Sequence, residues 1–256
     1  MSAVVHLRDL PVGDGRVKVA APMVSTGPEA LLEEADRLLA ASVDIAEWRA
    51  DYLLEAHPEA PLTALPAALR ARLGTTPLLL TVRSAEEGGR ARLSEDEYAT
   101  TVAGLLQAGG GDAVDVELAR AGVLPDLVAR AHDAGLPVVL SHHDVAGTPT
   151  AEEITDRLAA MAAAGADIAK VAVTAHGARD VLTLLEATVV AREQLTLPVV
   201  TMAMGPAGLV SRLCGEVFGS AVTFGAVDQP SAPGQIDVAA LRSVVALVHE
   251  HAGGGQ

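Results

Sequence analysis

A lysine stands in the middle of "ADIAKVAV", residues 166–173, where the flanking residues are apolar and no turn former interrupts the run. The chain has 18 Lys and Arg together, and only Lys18 and Lys170 are lysine. If position 170 needed only positive charge, arginine would be the expected choice in this chain. Lysine does one thing arginine cannot: it sheds its proton when desolvated, and the neutral amine attacks a carbonyl to form a Schiff base. The plainer reading is a lysine that snorkels out from a strand end.

Other polar residues sit at a spacing of two. Glu47 and Arg49, Thr81 and Arg83, Asp115 and Glu117, Ser141 and His143, and Met202 and Met204 form such pairs. On a strand, residues two apart share a face, so each pair aims in one direction. Guanidinium groups grip carboxylates, and a histidine moves protons near neutrality. Each residue also has a plainer reading. Arg49 and Arg83 could pair internally with Glu47, Asp51 or Asp115. Asp115 and Glu117 read best as a structural charge network. Met202 and Met204 could be core, Gly88 and Gly89 a turn, and Trp48 packing outside the sheet. "HHD" at 142–144 has metal-ligand residue types, but adjacent histidines leave opposite faces of a strand and no third strong ligand is evident.

These residues lie on eight apolar, β-rich runs: 17–23, 43–49, 77–83, 113–118, 137–144, 167–173, 198–204 and 221–227. Helical patterns separate them. Residues 27–42 carry Leu31, Leu32, Leu38 and Leu39 near a 3.6 period. Residues 93–110 open with Ser94 as N-cap and Glu97 three places on, and stop at Gly109. Residues 148–166, 177–194 and 234–250 behave alike. Strand and helix alternating eight times predicts an α/β fold, a (β/α)8 TIM barrel of parallel strands. No G-x-G-x-x-G turn follows the first strand, which argues against an open dinucleotide-binding sheet. The whole chain, 1–256, reads as a single barrel domain. Residues 1–16 form an N-terminal β-hairpin closing the barrel bottom, and 251–256 form a frayed or disordered tail. Chemistry in such a barrel sits at the C-terminal ends of the strands, which is where the polar pairs fall.

Bulk composition sets limits. Half of the residues are hydrophobic and 2% aromatic, so Ala, Leu and Val build the core. A net charge of −15 argues against nucleic acid as a partner. One cysteine, Cys214, excludes an internal disulfide and a cysteine-based zinc cage. With no leader-like start and no run of about 18 apolar residues, the expectation is a soluble cytoplasmic protein with no membrane partner.

The ordered set of motifs resembles the type I 3-dehydroquinate dehydratase family along nearly the whole chain. The motifs are "EWRAD" (47–51), "TVRSAEEGG" (81–89), "DVEL" (115–118), "SHHD" (141–144) with "TP" (148–149), "AKVAV" (169–173), "MAMGPAGLVSRL" (202–213), "VTFG" (222–225) and "SAPGQ" (231–235). The resemblance implies a lyase that dehydrates 3-dehydroquinate to 3-dehydroshikimate through a lysine Schiff base, without metal or organic cofactor, commonly as a homodimer. It implies Lys170 as the Schiff-base lysine, His143 as general acid/base and Glu87 as the carboxylate orienting that histidine. It implies Glu47, Arg49, Arg83, Arg212, Ser231 and Gln235 as substrate-binding residues, with Met202 and Met204 lining the site. Two positions depart from the family pattern. His142 stands where an aromatic residue is usual, and Val145 where phenylalanine is usual; both thin the packing around His143.

The chemistry suits these residues. An iminium is a better electron sink than a ketone, so lysine attack at C3 would acidify C2. Burial in an apolar strand, with guanidinium groups nearby, disfavours an ammonium. Arg212 is the best candidate for a two-point grip on the substrate carboxylate. Loop 226–235 could close over the ring as a lid. Two other readings stay open at this stage. One is a Schiff-base aldolase with "MGPAG" (204–208) as its phosphate cradle. The other is a barrel that binds a metabolite and has lost its chemistry.

Overall fold

A computed structural model describes residues 3–60 and 62–252. Eight parallel strands form one sheet: β3 (Lys18–Met23), β4 (Ile45–Arg49), β5 (Leu78–Thr81), β6 (Ala113–Glu117), β7 (Val138–Asp144), β8 (Ile168–Thr174), β9 (Val199–Met204) and β10 (Val222–Phe224). Their spatial order, β10-β3-β4-β5-β6-β7-β8-β9, follows the sequence around a ring, and a bridge between Val199 and Ser220 closes it. This is the (β/α)8 barrel. Ahead of it, β1 (Val5–Leu7) and β2 (Leu10–Val12) pair antiparallel as the expected hairpin.

Between the strands run α1 (Pro28–Ala40), α4 (Glu95–Ala108), α5 (Leu124–Asp133), α6 (Ala151–Ala163) and α7 (Ala178–Gln194), and α10 (Val238–His251) follows β10. Two of the eight helical positions are split. After β4 come α2 (Ala50–Ala56) and α3 (Leu65–Leu73), because Pro58 cannot continue a helix. After β9 come α8 (Leu209–Leu213) and α9 (Gly215–Phe218). The Ser94–Glu97 capping box forms as expected, and Thr150 with Glu153 builds a second one at the start of α6. Of the expected frayed tail, His251 instead ends α10, while 253–256 lie outside the described residues.

Strand alternation divides the barrel into an apolar sleeve and a layered interior. Trp48, Leu80, Val116, Leu140, Val171 and Ala203 face the helices within one continuous core. Inside, Ala20, Ile45, Leu79, Ala113, Val139, Ile168, Val200 and Val222 form an apolar floor, and Leu7 and Val12 of the hairpin seal it from below. The next inward residues toward the C-terminal ends are Glu47, Thr81, Asp115, Ser141, Lys170, Met202 and Phe224. The sequence of β8 therefore changes character only on its inner face, from Ile168 to Lys170. The floor excludes water beneath the charges. Burying one such aliphatic side chain contributes roughly 1.5–3 kcal/mol.

Leu7→Ala removes the main plug contact. It is expected to lower unfolding free energy in urea by about 2–5 kcal/mol. An unchanged midpoint would show that the hairpin does not seal the floor.

Candidate active site

The polar residues at the strand ends meet in one cavity of about 320 Å³ at the C-terminal mouth. Glu47, Arg49, Arg83, Glu87, His143, Lys170, Met202, Met204, Arg212, Ser231 and Gln235 all line it. Every residue singled out as catalytic or substrate-binding from the sequence is therefore brought together. Phe224, Thr174, Val145 and Pro233 also line the cavity; Phe224 and Pro233 lie within quoted motifs but had no role assigned, and Thr174 lies outside every motif.

Lys170 is 4% exposed and does not snorkel. Its Nζ lies 3.2 Å from Asp115 Oδ2, 3.8 Å from Glu47 Oε1 and 4.8 Å from the centre of the Phe224 ring. Its surroundings are thus an ion pair as well as an apolar wall, which the sequence reading had left out. The other lysine, Lys18, is at the opposite end of the barrel, bonded to Asp14.

Asp115 is the junction of the site. It is fully buried, and one oxygen accepts from Arg83 Nη2 at 2.5 Å and the Ser141 hydroxyl at 2.6 Å. Burial alone would raise its pKa, but the charges of Arg83 and Lys170 hold it well below the usual carboxylate range. The expected charge network is present, and it holds the proposed catalytic lysine directly. Arg83 also reaches Ser141 at 2.8 Å, Glu117 at 3.2 Å and Glu87 at 3.3 Å. Glu117 has its pKa raised by burial, a push that Arg83 only partly offsets. Arg49 is held by Asp51 through two bonds of 2.8 Å. Internal pairing and cavity lining are thus both true of Arg49 and Arg83.

The turn after β5 delivers Glu87. Gly89 makes this turn possible: a Cβ there would sit 2.2 Å from the Arg83 carbonyl oxygen. Glu87 Oε2 accepts from the His143 backbone N–H at 3.1 Å and lies 3.0 Å from His143 Nδ1. With a carboxylate at Nδ1, the neutral ring carries its proton there and leaves Nε2 as a base. Burial, reinforced by Arg83, pushes the His143 pKa down to about 3 despite the Glu87 bond, so the resting imidazole is neutral. Burial also works against the Glu87 carboxylate. Contacts from His142 and His143 and the Arg83 charge outweigh it and hold its pKa low.

Arg212 differs from the other cations. It is 1% exposed, its Nε has no partner, and its Nη atoms reach only Met202 Sδ at 3.5 Å and the carbonyls of Phe224 at 3.4 Å and Pro233 at 3.3 Å. No carboxylate lies within ion-pair distance among the described residues. Burial lowers its pKa to about 10. A desolvated guanidinium facing a cavity without a counter-charge is an anion site.

Ser231 and Gln235 bond each other across the loop, through the Ser231 N–H to Gln235 Oε1 at 2.8 Å and Gln235 Nε2 to Ser231 Oγ at 3.3 Å. The Gly205 N–H donates to Pro233 O at 3.2 Å, which docks the loop on the mouth. That bond spends the Gly205 amide of "MGPAG", and the Gly208 N–H donates to Gly205 O. These amides are not left for a phosphate cradle. His142 and His143 both approach Glu87, and no metal-holding group of three His, Cys, Asp or Glu side chains occurs among the described residues.

The barrel and its ionisable mouth define a (β/α)8-barrel enzyme. The sequence profile described as "Type I 3-dehydroquinase" matches residues 19–252. A 3-dehydroquinate dehydratase of Listeria monocytogenes is 45% identical over 248 residues, 96% of this chain and 98% of the relative. The crystal structure of 3-dehydroquinate dehydratase from Geobacillus kaustophilus superposes with a TM-score of 0.93 at 36% identity, covering 97% of each chain. The type I enzyme of Clostridium difficile, solved with covalently modified comenic acid, gives a TM-score of 0.92 at 39% identity over 97% of this chain and 98% of that one. The chain belongs to the type I 3-dehydroquinase family. Its reaction is the dehydration of 3-dehydroquinate, a hydro-lyase step of the shikimate pathway, and this removes the aldolase and non-catalytic readings.

A depressed carboxyl contributes stability that is full above its unfolded pKa and is lost as pH falls toward its folded one. Asp115 therefore adds to acid destabilisation below about pH 4. Asp115→Asn is expected to lower stability at pH 7 by about 3–5 kcal/mol, with a shallower loss between pH 4 and 3 in urea titrations. An unaltered acid slope would contradict the pairing.

Proposed function

We propose that this enzyme dehydrates its substrate through a Schiff base on Lys170, with His143 carrying the proton. One observation carries the reading. A buried amine and a neutral imidazole whose Nδ1 is tied to Glu87 share the wall of one small cavity. Nζ passes a proton to the Glu47 carboxylate beside it and attacks the C3 ketone; that proton returns to the carbinolamine hydroxyl, which leaves as water to give an iminium. His143 Nε2 then takes a proton from C2, and the electron pair moves into the iminium as an enamine. The same imidazolium returns that proton to the C1 hydroxyl, which leaves as water while the enamine collapses to the conjugated iminium. Hydrolysis frees Lys170 and the enone product.

Asp115 and Glu47 orient Nζ and can balance its charge as the amine reacts. Arg212 grips the substrate carboxylate by two parallel bonds, replacing the counter-ion it lacks in the protein. Arg49, Arg83, Glu47 and Gln235 hold hydroxyl groups, and Met202 and Met204 wall the ring. Loop 226–235, with Ser231, acts as the lid that keeps water from the iminium. The covalent ligand of the Clostridium difficile relative is in keeping with a covalent intermediate.

We also read the protein as a cytoplasmic homodimer. Among the described residues no helix is long and apolar enough to cross a membrane. Leu182, Val189, Val210, Val217 and Leu247 are exposed on the contacting helices α7–α10, which gives a second copy a surface to cover. Sedimentation at monomer mass would overturn the dimer.

Borohydride added with substrate is expected to inactivate the enzyme and leave an adduct on Lys170, located by mass spectrometry. An adduct elsewhere, or none, removes the Schiff-base assignment. Lys170→Arg is expected to be as inactive as Lys170→Ala, since a guanidinium forms no imine. His143→Ala is expected to lose turnover yet keep some imine trapping. Arg212→Ala is expected to raise KM by roughly a hundredfold with a smaller change in kcat. An unchanged KM contradicts the carboxylate grip.

A further inference from the structure

The two oxygens of Glu87 have unlike surroundings. Oε2 is taken by the His143 backbone N–H, the His143 ring and Arg83. Oε1 is buried and has no hydrogen-bond partner, and His142 Nδ1 lies 3.4 Å from it. An unsatisfied buried carboxylate oxygen is costly, and a small ring rotation would let His142 relieve it. Successive side chains of β7 should leave opposite faces. At the strand end both imidazoles instead flank one carboxylate, because the turn 83–91 folds Glu87 over the strand. That turn is pinned by bonds from Gly89 N to Ser84 O at 2.7 Å and from Ala91 N to Arg83 O at 3.1 Å. The outer ring meets solvent, its side chain 23% exposed, while His143 faces the cavity.

We propose that His142 is a positioning residue for the dehydration: it takes the unpaired Oε1 of Glu87 and so sets how much of that carboxylate's charge remains to hold the His143 imidazolium. This rests on the reading of His143 as acid and base. When His142 is neutral, it can donate to Oε1 and leave the full negative charge in place. When it is protonated, its charge neutralises Glu87 and repels the imidazolium formed as the C2 proton is taken. Proton abstraction then slows as the solution is acidified.

The charged groups around this end of β7 are few. Glu87 and Arg83 come from the end of β5 and its turn, and Glu117 and Arg120 from the end of β6 and the residues after it. Asp144 of β7 pairs with Arg157 of α6. Among the described residues, only Glu87 is within ion-pair distance of the His142 ring. Arg83 acts on Glu87 as a constant charge, whereas an imidazole can gain or lose a proton.

His142→Gln keeps a donor for Oε1 and removes the charge that titrates. Its kcat is expected to stay within about twofold of the native plateau while the acid-side inflection of the native pH profile disappears. His142→Phe removes the donor and is expected to lower kcat by roughly tenfold at every pH. NMR titration of the His143 ring reads the coupling without turnover: a second inflection in the native protein, absent in His142→Gln. If both the rate profile and the His143 titration of His142→Gln superimpose on the native ones, the proposal is wrong. If borohydride fails to mark Lys170, or His143→Ala stays active, the functional reading falls instead, and the NMR comparison still decides whether the two rings are coupled.

Discussion

One buried carboxylate holds the site together. Asp115 has no exposure, yet it accepts from the Arg83 guanidinium just after β5, the Ser141 hydroxyl within β7 and the Lys170 Nζ within β8. Charges above an apolar floor cannot rely on water, so each needs a partner of fixed geometry. Asp115 supplies that partner for Arg83 and Lys170. Arg83 in turn fixes Glu87 and Glu117, and Glu87 fixes the tautomer of His143. The orientation of the imidazole therefore traces back, through two ion pairs, to a residue that does not itself line the cavity.

The exception defines the ligand. Arg212 is as buried as Arg83 but has no anion within ion-pair distance among the described residues, where its Nε also finds no partner. A chain of net charge −15 repels an anionic substrate at long range. Of the three buried guanidinium groups that line the mouth, Arg212 is the one with no carboxylate partner among the described residues, so under the proposed mechanism the substrate carboxylate goes there. Arginine is thus used in two ways: Arg49 and Arg83 are paired framework groups that also line the cavity, and Arg212 lines it without a carboxylate partner among the described residues, as the proposed carboxylate grip requires.

Much of this was legible in the sequence because strand periodicity is strict. The spacing of Glu47 with Arg49 and of Ser141 with His143 fixed which side chains point inward, and the eight apolar runs fixed where. The split of α2 from α3 is marked by Pro58 and of α8 from α9 by Gly215, but helical periodicity alone does not register such short pieces. The least legible feature was Asp115. A carboxylate in an apolar strand reads as structural, and only the side-by-side pairing of β5 through β8 reveals that it reaches both Arg83 and Lys170. His142 was not legible in the sequence as a second neighbour of Glu87. Alternation sends it to the other face, and the turn that brings the carboxylate over the strand end depends on Gly89.

The central claim is geometric: a covalent bond at Lys170 puts the ring between an imidazole that moves one proton and a guanidinium that holds one carboxylate. The most direct measurement is the crystal structure of the enzyme reduced with borohydride in the presence of substrate. The account predicts continuous density from Lys170 Nζ to ring C3, the carboxylate forked on Arg212, and C2 within reach of His143 Nε2. A ring bound to Lys170 with its carboxylate away from Arg212, or with C2 turned from the imidazole, would contradict it.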